Sequence, residues 1–121
     1  MLRLTSRKEK KQAVWTALKD DLLTVKKNAG SVYNSLWQHF AITQVEQDVR
    51  SKLTAITETS GALQEHRKVA QAITDFVHFA NIVIERKKGH EFTSREDKDE
   101  NDKELTRRYQ TLVETCNGLI K

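Results

Sequence analysis

The sequence predicts an all-α protein, an antiparallel four-helix bundle, and three observations carry that prediction. Proline is absent and glycine occurs only four times in 121 residues, so the commonest helix breakers are nearly missing. Apolar residues recur at spacings of three and four rather than two, the period of a helix face. Gly30, Gly61 and Gly89 divide the chain into stretches of similar length, and glycine is the preferred residue just past a helix end. The expected helices span about 6–28, 31–58, 61–88 and 95–119 in a single domain covering 1–121, because a chain of this size holds one modest core.

In the first helix Ser6 and Glu9 have the spacing of a capping box, and Val14, Leu18, Leu22 and Val25 form one stripe with Trp15 beside it. Lys26 and Lys27 suit the negative end of the helix dipole. The second stretch opens on Ser31 as a cap and carries the most aromatic face of the chain, Tyr33, Leu36, Trp37 and Phe40. Its stripe continues through Ile42, Val45, Val49, Leu53 and Ile56, but Thr43 and Glu46 form a second capping box. A break near Thr43 would make five helices of four.

The third helix carries Val69, Ile73, Phe76, Ala80 and Val83 in alternating steps of four and three, a seam suited to near-parallel packing. Phe79, Ile82 and Ile84 lie off that seam, which leaves a thin polar stripe of Gln71, Thr74, His78, Asn81 and Glu85. A bundle helix needs only about three apolar positions in seven. The surplus predicts a partner-binding face at Phe76, Phe79, Ile82 and Val83, with a homodimer as its simplest occupant. In the fourth helix Thr93 and Glu96 give a capping box, and Leu105, Tyr109, Leu112, Cys116 and Leu119 repeat the four-three spacing.

Composition narrows the function classes. Charged residues make up 31% of the chain and mean hydropathy is -0.68, a soluble pattern with no apolar run long enough to be a transmembrane segment. A single cysteine, Cys116, forms no internal disulfide and points to a reducing, cytoplasmic compartment. The net charge of +4 is well short of a dedicated polyanion binder.

No residue set announces chemistry. The four histidines, His39, His66, His78 and His90, form no HxxxH pair, and the lone Asp75-x-x-His78 lacks the second motif that a di-metal bundle requires. No metal or cofactor is expected. Cys116 holds an apolar seam position, where a thiol acts as a small hydrophobe. Glycine-rich phosphate loops are missing. An enzymatic reading would need a polar pocket around His78, Asn81 and Glu85.

The charge clusters differ in meaning. Arg86, Lys87 and Lys88 at a helix end, and the acidic residues from Glu96 to Glu104 at a helix start, complement helix dipoles. Arg3, Arg7, Lys8, Lys10 and Lys11 crowd a helix N-terminus, which the dipole disfavours, and form the candidate anion-binding cluster. The expected function is therefore a non-enzymatic helical protein-protein interaction module, such as an adaptor, chaperone, inhibitor or assembly subunit, self-associating through the third helix. The alternative is a small nucleic-acid-binding or regulatory protein that uses the N-terminal basic cluster.

Overall fold

A computed structural model describes residues 2–38 and 42–120, with side chains from residue 14 onward. Four α-helices follow one another: α1 (Leu2–Gln38), α2 (Glu46–Ser60), α3 (Arg67–Lys88) and α4 (Arg95–Ile120). Short 3-10 turns at Ile42–Gln44 and Gly61–Leu63 introduce α2 and close it. The helices pack on one another as an all-α bundle, with no strand among the described residues.

Cross-helix bonds give the directions. Lys26 Nζ donates to Asn117 Oδ1 at 2.6 Å, and the Tyr33 hydroxyl lies 2.7 Å from that of Thr106. As α1 advances, α4 therefore runs back. Lys52 Nζ reaches Ser31 Oγ at 2.7 Å, so α2 also runs antiparallel to α1. Lys87 Nζ reaches the Leu36 carbonyl at 2.5 Å, which brings the end of α3 to the end of α1.

The helix boundaries differ from the expected 6–28 and 31–58. Gly30 does not end a helix, because α1 runs straight through it. Leu22, Val25, Ala29, Val32 and Leu36 are all buried, so one unbroken three-four stripe outweighs the roughly 1 kcal/mol that a mid-helix glycine costs relative to alanine. A Cβ at Gly30 would stand 3.2 Å from the Tyr109 hydroxyl. Here glycine makes room for the Tyr109 hydroxyl rather than ending its own helix. Ser6 and Ser31 consequently lie inside α1 rather than at a helix start.

The chain breaks instead at the alternative site, near Thr43. That residue sits in the 3-10 turn, and α2 starts at Glu46 after Val45, with no side-chain cap. Thr43 thus forms no capping box. Glu46 binds Arg50 at 2.8 Å and Lys88 at 3.1 Å instead. Phe40, His39 and Ala41 lie outside the described residues.

At the start of α4 the box is shifted by one residue. Ser94 Oγ accepts the Asp97 N–H at 3.0 Å, and the Asp97 carboxylate accepts the Thr93 N–H at 3.1 Å. The α3 terminus is offset too. Gly89 has φ -86° and the left-handed residue is His90, at φ 51°. Glu91 N–H bonds the Arg86 carbonyl and His90 N–H the Lys87 carbonyl, the paired closure of a helix whose left-handed position follows Gly89.

The core is continuous, from Leu22 to Leu36 on α1, through Val49, Leu53 and Ile56 on α2, to Leu105, Leu112 and Cys116 on α4. α3 supplies the largest share, since Val69, Ala72, Ile73, Phe76, Phe79, Ala80, Val83 and Ile84 are all buried. It packs against α2 and α4 and also meets α1, and a helix with three neighbours needs a wide apolar face.

Candidate functional site

The apolar surplus of α3 faces inward. Phe76 and Val83 are fully buried and Phe79 nearly so, with the Arg108 guanidinium 5.0 Å from the Phe79 ring centre. Of the four residues expected to bind a partner, Ile82 alone is exposed, at 41%. Phe76, Phe79 and Val83 are therefore covered within the chain itself. The surplus reflects the interior position of α3, a feature that its own periodicity does not distinguish from an interface.

The polar stripe of α3 meets α2 at Asn81 and Glu85. Arg50 donates to Glu46 at 2.8 Å, to Glu85 at 2.6 Å and to Asn81 Oδ1 at 3.5 Å, while His78 is exposed. Among the described residues no three His, Cys, Asp or Glu side chains converge as metal ligands. The Cys116 thiol is buried and free of any disulfide, and burial pushes its pKa up to about 11. It stays protonated at neutral pH and is a poor nucleophile.

The basic end of α3 is partnered rather than merely solvated. Arg86 pairs with Asp97 of α4, Lys88 with Glu46 of α2, and Lys87 donates to the Leu36 carbonyl of α1. Each of three consecutive cations thus binds a different helix. Arg107 and Arg108 converge on Glu104, at 2.5 and 2.7 Å, and hold its carboxyl down at about pKa 2.

What remains exposed and apolar lies mainly on α1. Its 37 residues extend about 55 Å at 1.5 Å per residue, against about 22, 33 and 39 Å for the other three helices. Asn117 stands beside Lys26, only three residues before the end of α4, and α2 ends eight residues after Lys52, which faces Ser31. The bundle therefore runs out near Leu18, which still touches the core, while Val14, Trp15, Thr16 and Ala17 are all exposed.

The register of this free end matters more than its length. At 100° per residue, Val14 and Leu18 fall on the face that Leu22, Val25, Ala29, Val32 and Leu36 bury lower down. Val14 is 69% exposed and Trp15, at the edge of that face, 47%. The core stripe thus continues beyond the core. Arg3, Arg7, Lys8, Lys10 and Lys11 belong to the same projecting part of α1 by backbone position, but their side chains lie outside the described residues. An open groove of about 490 Å³ between His66 and Val69 on one side and Glu114 and Leu119 on the other lies at the same end of the bundle.

The sequence displayed this site without marking it. Val14, Leu18, Leu22 and Val25 read as one core stripe, and only the lengths of the other helices show where burial stops. No helix among the described residues is long and apolar enough to cross a membrane. Comparison with protein-family models, with curated proteins and with solved structures finds no match to the chain.

Proposed function

We propose that this protein is a non-enzymatic helical interaction module, working in a reducing compartment, that binds a helix of another protein along the projecting end of α1. One observation carries the reading: a stripe that is core from Leu22 onward continues through Leu18 and Val14 after every other helix has ended. Exposed apolar residues in helical register are the usual half of a helix-in-groove contact. Burial of Phe76, Phe79 and Val83 favours α1 over α3, where the periodicity points, as the face we propose for the partner.

Sedimentation of the purified chain, with affinity retention from an extract of its own source, tests the proposal on the wild type and on Val14→Asp. The expected result is a retained protein that the variant loses while keeping its fold. A strict monomer that retains nothing overturns the proposal.

A second reading has its own support. Arg3, Arg7, Lys8, Lys10 and Lys11 follow one another on the first turns of α1, and an α-helix fits the major groove of DNA. Titration with DNA and RNA at two salt concentrations addresses it, because phosphate contacts weaken steeply as salt rises. Binding absent or insensitive to salt removes it.

A further inference from the structure

The corner where α3 passes into α4 holds a pocket of about 290 Å³ lined by Lys87, His90, Phe92, Ser94, Arg95 and Lys98. Three of the six are cationic and none is acidic. Asp97 is engaged by Arg86 and the Thr93 N–H, and Asp102, paired with Lys98 at 3.7 Å and close enough to act on Lys87, offsets one of the three cations. Arg95 has no ion pair among the described residues.

Several residues around this pocket work against their local structure. Arg95 places a cation in the first turn of α4, where the helix dipole disfavours it. His90 holds a left-handed backbone that glycine adopts freely. Lys87 is half-buried, and its removal from water, together with the nearby charge of Lys98, lowers its pKa despite the opposing pull of Asp102. Local choices that conflict with stability gather where function requires them.

We propose that this pocket binds a small phosphomonoester, with Arg95 and Lys98 meeting the phosphate and the Phe92 ring facing the apolar body of the ligand. Lys87 contributes charge from behind, because its ammonium already donates to the Leu36 carbonyl. A dianion suits convergent cations better than a carboxylate does, and the volume is near the lower end for small-molecule sites. The proposal is independent of the α1 interface.

Calorimetric titration of the full chain with phenyl phosphate, inorganic phosphate and benzoate tests it. Phenyl phosphate should bind one to one and at least about tenfold more tightly than either of the others, as expected when charge and apolar contact act together. Arg95→Glu and Lys98→Glu, each confirmed folded by circular dichroism, should each weaken it by about tenfold or more. Lys103→Glu, the same charge change on an exposed position of α4, should alter it by less than about twofold at moderate salt, where distant exposed charges are screened. No saturable binding, or an equal loss in all three variants, overturns the proposal.

Discussion

Single residues set the local energetics of this bundle, and His90 shows how. Its left-handed backbone, φ 51°, costs a residue with a Cβ roughly 1–2 kcal/mol. His90→Gly should therefore raise unfolding stability by about 1 kcal/mol in urea titration, and a loss of stability would show that the imidazole makes a compensating contact. The sequence placed this left-handed turn one residue early, at Gly89. Glycine's freedom marks where such a turn is easy, whereas the helix closes through the Glu91 and His90 N–H groups, one residue later. Glu104 offers a test by pH. Its carboxyl is held at about 2 against an ordinary 4.5 by Arg107 and Arg108. A depressed acid stabilises the fold above its unfolded pKa and loses that contribution as pH falls through the folded one. Stability should decline between about pH 4.5 and 2, and Glu104→Gln should flatten that decline. An unchanged profile in the variant would remove the two arginines as its cause.

At the scale of the helix, α3 and α4 were largely legible and α1 was not. The four-three spacing of Val69 to Val83 and of Leu105 to Cys116 names residues that are buried in the structure, apart from the half-buried Tyr109. Gly30 was misleading because a glycine within a helix and one beyond its end look alike until Ala29 and Val32 are counted in the stripe. The break near Thr43 was visible as an alternative, although neither Thr43 nor another side chain caps the helix that follows. The site was hardest to see, because periodicity reports which face is apolar and not whether anything covers it. Substitutions separate the two cases. Phe76→Asp buries a charge at a fully buried position and should abolish cooperative unfolding, since an unpaired buried charge costs several kcal/mol. Val14→Asp, at a position 69% exposed, should change stability by no more than about 0.5 kcal/mol. Thermal melts of both variants check this, and comparable destabilisation would mean that Val14 is covered within the chain.

Across the whole molecule, unequal helix lengths do more to shape the surface than composition does. α2, α3 and α4 bury one another and the second half of α1, and Arg86, Lys87 and Lys88 fasten the far corner to α4, α1 and α2 in turn. The first half of α1 is left to project with a core-register stripe and a basic sequence. The central claim is that this stripe is an interface. Photo-crosslinking in the native source tests it most directly, with a benzophenone side chain at position 14 or, as a control, at position 78, an exposed site on α3. The account predicts a discrete protein adduct from position 14, mapped to an amphipathic helix and absent from position 78. Adducts of equal yield from both positions, or none from position 14, would contradict it.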